Sequence, residues 1–394
     1  MKNSTNINAI IAENERRRRA ISIDYDPLRG IGTIGSRSFV PDFDAWLPDV
    51  MIDDPAFSTA MSHEAYCRLR FRYDFEFWTA TCVSIRDKLT GRDVRFHLNL
   101  PQRRVLQTLE ADRLAGRPIR IIMLKARQWG GSTLVQVYMA WIQCIHRRNW
   151  HSLVCAHVRD TAATIRGMYT HILDEYPPDL WPEDDDGNTD VKPEFRNFER
   201  SQNVRYLSSR SSRVTLASAE RPESARGQDI AMAHLSEVAF WPSMPQRDAN
   251  DFARAICSGI PMEPYTLIAL ESTANGVGGY FHSEWLRAEA HESDKHAVFV
   301  PWYEIEFYRR PVPDAKALWD SLDDYCRRLW ETDERVTLEA LAWYQLKRRE
   351  YQTHRAMMAE YPSNSVEAFA TTGNSVFDAD FVNRMRLNCS DPSL

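Results

Sequence analysis

Apolar residues recur along the chain with two different periods. Short, nearly continuous runs of Ile, Leu, Val and Ala occupy residues 119–124, 152–156, 230–235, 265–270 and 297–300. Runs of this length and texture suit strands buried on both faces of a sheet. Residues 204–207 and 214–217 read as two further strands. Between the runs the spacing turns helical. Leu134, Val137, Tyr138, Trp141 and Ile145 line one face after the first run, and residues 103–114 and 159–175 repeat the pattern. Strands alternating with helices predict an α/β fold, a mainly parallel sheet covered on both faces. In such a sheet ligands gather at the C-terminal ends of the strands.

The flanking regions differ. Residues 1–60 lack sustained periodicity and include four consecutive arginines, Arg16 to Arg19. These read equally as a contact for phosphate or an acidic partner, or as an exposed polar helix turn. Residues 62–81 look helical and aromatic, and 82–98 read as a hairpin around Leu89-Thr90-Gly91. From residue 301 the texture is helical, charged and rich in Trp and Tyr, over 315–330 and 337–360. The expected organisation is an N-terminal arm with a small hairpin and helical region (1–95), a core (96–300), a helical lid subdomain (301–370) and a linker (371–394).

Composition narrows the picture. A net charge of −6 argues against a uniformly basic DNA-coating protein but leaves room for a local basic groove. The seven cysteines form no CxxC pair and read as buried thiols in a reducing compartment. No apolar run approaches the length of a membrane span. The acidic run at 183–190 lacks the spacing of a calcium loop and reads as solvated surface.

Chemistry concentrates at the predicted strand ends. After the first run come Lys125, Arg127, Gln128, then Gly130, Gly131, Ser132 and Thr133, and then a helix. Strand, glycine turn, hydroxyl and helix is the layout of a phosphate-binding loop, with backbone amides and a helix N-terminus facing the anion. The usual pattern requires Lys where Gly131 stands and a further Gly to open the loop. Lys125 or Arg127 is therefore the expected phosphate cation, and Ser132 or Thr133 the Mg²⁺ ligand. Glu237 follows the third run and is placed to polarise water. Ser236 precedes it, where a carboxylate is usual; a serine there can still hold a metal-bound water. Ser272, Thr273, Ala274 and Asn275 follow the fourth run, where an amide or hydroxyl can sense a γ-phosphate. Arg226, on a loop eleven residues before Glu237, suits an arginine finger. Gln102 can read an adenine edge, because its amide both donates and accepts.

The segments KARQWGGST, SARGQDIAMAHLSEVAFW, ALESTANG and EYPSNSVEAFATTG, in this order, resemble the ATPase half of the large terminase subunit of tailed bacteriophages. The resemblance covers roughly residues 96–377. It implies a P-loop NTPase fold of the additional-strand type, with ATP and Mg²⁺ as cofactors. It further implies a homo-oligomeric ring, usually pentameric, on a portal protein, a small terminase subunit as partner, and double-stranded DNA pumped into a procapsid in the host cytoplasm. By the same resemblance Glu237 is the catalytic glutamate, Arg226 the trans-acting finger, Gln102 the adenine-reading glutamine, and Ser272, Thr273 and Ala274 the coupling motif. Gly131 and Ser236 depart from the family pattern. The family's C-terminal nuclease would begin where this chain stops, so no nuclease activity is expected from it. The rival expectations are a module that binds nucleotide to lock an assembly and a helicase-like translocase.

Overall fold

The fold is taken from a computed structural model, which describes residues 6–22, 24–87, 90–183, 191–199, 201, 203–220, 229–242 and 249–370. Arg226 and the linker at 371–394 lie outside the described residues, as does most of the acidic run at 183–190.

Eight strands form the central sheet: β1 (Ile119–Lys125), β2 (Ser152–Ala156), β3 (Phe195–Asn197), β4 (Val204–Leu207), β5 (Ser212–Ser218), β6 (Met232–Ser236), β7 (Leu267–Ser272) and β8 (His296–Val300). Their spatial order is β8-β1-β7-β6-β2-β5-β4-β3. Every pairing from β8 to β5 is parallel, and only the β5-β4-β3 edge is antiparallel. Strand β3, three residues long, is too short to leave an apolar run in the sequence.

Period-two alternation divides the apolar runs between two cores. Ile119, Ile121 and Met123 of β1 face one cluster, whereas Ile122 and Leu124 face the other. Strands β2 and β7 divide likewise. All seven residues of β1 are therefore buried, which is why the run shows no polar alternation. Helix α3 (Gly131–Trp141) covers the first face through Leu134, Val137, Tyr138 and Trp141. Helices Ala249–Ser258 and Gly279–Glu289, which the sequence pattern does not announce, cover the second through Phe252, Ile256, Phe281 and Trp285. No disulfide joins the six described cysteines. No helix among the described residues is long and apolar enough to cross a membrane.

The N-terminal region holds more structure than its pattern suggests. Helix α1 (Ile7–Ile21) starts where the Asn6 side chain accepts from the Asn8 amide. Of its four consecutive arginines only Arg17 is buried; Arg16, Arg18 and Arg19 are exposed. Arg17 donates to the carbonyls of Trp330, Asp333 and Val336, and stacks 3.8 Å over the Trp330 ring. Arg16 pairs with Glu334 and Arg18 with Glu339. The predicted helix over 62–81 is two helices, His63–Tyr73 and Phe75–Cys82. Asp74 caps the second, and its buried carboxylate binds Arg37 and Arg70.

Residues 301–370 are mostly short helices around an aromatic stack. Trp302 lies 4.4 Å from Tyr344, and Tyr308 lies 4.2 Å from Trp343, ring to ring. These rings belong to the same apolar cluster as the first face of the sheet.

Candidate active site

Helix α2 (Leu100–Leu114) sets the loop after β1. Asn99 and Gln102 form a capping box at its start: the Asn99 oxygen accepts from the Gln102 amide, and Gln102 Oε1 accepts from the Asn99 amide. The same two side chains reach across to the loop. Asn99 Nδ2 donates to the Trp129 carbonyl at 2.9 Å, and Gln102 Nε2 to the Gly130 carbonyl at 3.0 Å. The Tyr308 hydroxyl donates to the Arg127 carbonyl. Three loop carbonyls are thus held by side chains. The first amides of α3 have no intrahelical partner, as at any helix start.

The loop's backbone enters the left-handed region in two places. Gly130 has φ +85°, and a Cβ there would lie 2.7 Å from Gln102 Nε2. Gln128, a non-glycine, has φ 59°. Left-handed non-glycine residues cost about 1–3 kcal/mol and cluster at functional sites. Gly131 answers to a different constraint: a Cβ there would sit 2.5 Å from the indole of Trp129, which is buried. The ring fills the space into which a lysine at 131 would start.

The strand itself brings a buried cation to this point. Lys125, the last residue of β1, is only 6% exposed and places Nζ 3.0 Å from Glu237 Oε1 and 3.8 Å from Glu271 Oε2. Burial opposes charge on this ammonium, but Glu271 and Glu237 outweigh burial and its pKa is raised. Glu237 follows β6 in the left-handed region, φ 54°. Its Oε2 lies 3.4 Å from both the Ser272 hydroxyl and the Thr273 amide. Ser272 Oγ also accepts from the Ala239 amide, and Asn275 donates to the Ala239 carbonyl. The end of β7 is therefore hydrogen-bonded to the segment that carries Glu237. Ala274 is buried in the second core.

Sequence reasoning gave no role to Glu271, and the structure places it at the centre. It lies in register with Ser236 across the β6–β7 pair and is wholly buried. Its Oε1 accepts from both the Ser132 and Ser236 hydroxyls. His234 Nε2 lies 3.2 Å away but is not aligned for a hydrogen bond. Burial pushes this carboxyl up, yet Lys125 and His234, with Ser132, hold it below the usual carboxylate range. The available signal was an acid near the end of an otherwise apolar strand, LIALES.

Other predicted residues lie nearby with partners of their own. Gln102 has both amide atoms committed inside the chain, so its direct work here is on the loop. Arg127 is half exposed and pairs with Glu360 at 3.0 Å. Thr133, with Gln128 and Gly130, borders a cleft of about 1260 Å³. The cleft extends past Tyr25, Phe96 and Arg103 and has the aromatic and cationic walls that suit a base and ribose. Among the described residues, no group of three or more His, Cys, Asp and Glu is placed to hold a metal.

The loop strand β1 and the strand before Glu237, β6, are separated by one inserted strand, β7. A glycine loop entering a helix beside β1, together with that insertion, makes this a P-loop NTPase fold of the additional-strand type. Among solved structures the chain is similar to the HK97 bacteriophage large terminase, at 16% identity and a TM-score of 0.49, over 75% of this chain and 55% of that one. It thus matches about half the length of that protein. It is also similar to the ATPase domain of the Thermus phage P74-26 large terminase, at 17% identity and a TM-score of 0.37, over 67% of this chain and 98% of that one. A third similar structure is a large terminase from a thermophilic bacteriophage in complex with ADP, at 11% identity and a TM-score of 0.36, over 66% and 51% of the two chains. No family model and no curated protein matches the chain.

Proposed function

We propose that this chain is the ATPase of a viral DNA-packaging motor, in which ATP hydrolysis drives double-stranded DNA into a procapsid. One observation carries the ATPase part. Lys125, Ser132, Glu237 and the Ser272-Thr273 pair, remote in sequence, meet at the ends of three adjacent strands beside a glycine loop. The packaging part is supported by the four terminase-like segments in their order.

In this reading the loop amides and Lys125 neutralise the β- and γ-phosphates. Glu237 orients the attacking water and accepts its proton. Loss of the γ-phosphate changes the contact between Glu237 and Ser272-Thr273, which passes the event to β7 and Ala239. The hydroxyls of Ser132 and Ser236 converge on one buried oxygen centre, a hard donor set that fits Mg²⁺. When bound, Mg²⁺ supplies charge neutralisation at the phosphates. Arg226 of a neighbouring subunit completes the site in a homo-oligomeric ring, pentameric by the resemblance. The portal protein and small terminase subunit are its partners on the procapsid, in the host cytoplasm, and DNA is gripped through its phosphates without base reading.

The test is duplex translocation. With ATP and portal present, the chain should release phosphate faster when double-stranded DNA is added. It should also strip a triplex-forming strand from a duplex without separating the duplex itself. Phosphate release indifferent to DNA, with no stripping, would favour a nucleotide-locked assembly module. Strand separation would favour a helicase-like translocase.

The loop makes a second expectation. Gly131→Lys writes the commoner sequence back, but drives a side chain into the Trp129 indole. Overpacking of this kind costs about 1–3 kcal/mol, so melting temperature falls and ATP affinity does not rise. A nucleotide titration that showed tighter binding at unchanged melting temperature would mean that Trp129 gives way.

A further inference from the structure

The serine at position 236 leaves the ATP site without the acid expected just before Glu237. The register of the sheet shows what takes its place. Ser236 and Glu271 are paired residues on adjacent parallel strands, so their side chains leave the same face of the sheet side by side. A short hydroxyl on β6 and a longer carboxylate on β7 occupy the room that a carboxylate on β6 would otherwise share. Two hydroxyls beside the loop, Ser132 at the start of α3 and Ser236 at the end of β6, both donate to Glu271 Oε1. The other oxygen, Oε2, is buried and accepts no hydrogen bond; the Lys125 ammonium, 3.8 Å away, is the cation beside it.

A wholly buried carboxylate oxygen without a donor is costly. Two serines would also be an odd choice if the site needed only to neutralise Lys125, for which Glu237 is already at 3.0 Å. Mg²⁺ is held by one or two carboxylates together with substrate phosphates and retained waters, not by an all-protein cage. One carboxylate flanked by two hydroxyls, at the foot of a phosphate loop, meets that requirement.

We propose that Glu271 is the carboxylate that anchors the divalent cation at this site, acting from the neighbouring strand in place of an acid at position 236, with Ser132 and Ser236 as its hydroxyl companions. The assignment rests on the nucleotide-site reading above. It makes Glu271 a metal-positioning residue, distinct in role from Glu237.

Mn²⁺ serves as the probe, followed by electron paramagnetic resonance on the purified chain with saturating ADP. Wild type should take up one Mn²⁺ only when ADP is present. Glu271→Gln should weaken that uptake by about 10–100-fold, the range seen when groups around a metal are removed. ADP binding in EDTA should change far less. The double variant Ser236→Asp with Glu271→Gln should recover much of the Mn²⁺ affinity, which a merely structural role for Glu271 does not predict. Unaltered Mn²⁺ uptake in Glu271→Gln, or no recovery in the folded double variant, would overturn the assignment. If the variants do not fold, the wild-type chain crystallised with Mn²⁺ and ADP decides. An anomalous peak within direct or one-water reach of Glu271 supports it, and a peak elsewhere overturns it. Failure of wild type to bind ADP at all would instead overturn the nucleotide site, and the assignment with it.

Discussion

Replacing Glu237 by Gln is expected to abolish steady-state ATP hydrolysis while ATP still binds, as tightly as to wild type or more tightly. The amide keeps the shape of the side chain and its reach toward Ser272 and Thr273, but cannot accept a proton from water. Loss of a positioned general base costs about 10²–10⁴-fold in rate. The second half of the expectation comes from the ion pair. Glu237 Oε1 holds the Lys125 ammonium at 3.0 Å, so a phosphate seeking that ammonium must compete with a carboxylate. Removing that charge removes the competitor. Single-turnover phosphate release, measured beside equilibrium nucleotide binding, separates the two effects. Normal turnover in the variant would take Glu237 out of the chemistry.

Lys125→Met is expected to lose both nucleotide affinity and stability. Lys125 and Glu271 are each buried, and Glu271 would be left as an uncompensated charge. Breaking a buried pair by removing one partner costs about 3–5 kcal/mol. Arginine is no conservative substitute, because its planar fork does not fit a site shaped for a compact ammonium. Urea unfolding and a fluorescent-nucleotide titration measure the two losses. Adding Glu271→Gln to the methionine variant should restore part of the stability, since the double variant no longer buries a lone charge. Unchanged nucleotide affinity in Lys125→Met would transfer the phosphate contact to Arg127.

The sheet was legible because its central strands β1, β2, β6 and β7 are buried on both faces and so appear as bare apolar runs. Strands β1, β2 and β8 lie within a residue or so of the runs that announce them, whereas β6 and β7 start and end one or two residues later. Those late ends matter: they bring Ser236, Glu271 and Ser272 into strands and therefore into register with each other. Glu271 could not be assigned from sequence because its meaning depends on which strand lies alongside, a fact of topology and not of spacing. Gly131 looked like a defect for a similar reason. Its cause is an indole two residues earlier that folds back over the same point. Gln102 carries a chemistry that an adenine edge would accept, yet its amide is used to hold the loop, a use visible only once helix and loop are neighbours. The arginine run, Arg16 to Arg19, was ambiguous because the carbonyls that Arg17 binds lie more than 300 residues away.

The loop after β1 is tied to the C-terminal region at two points, through the Arg127 carbonyl to Tyr308 on a bend and through the Arg127 guanidinium to Glu360 at a helix end. Any ligand that pulls this guanidinium toward itself has to take it from Glu360. Occupancy at the sheet and the seating of the helices are then two ends of one thermodynamic lever. By linkage, whatever clamps those helices must raise or lower the hold on the ligand by the same factor with which the ligand loosens or tightens them. A partner docked far from the sheet could set the pace of the site without touching it.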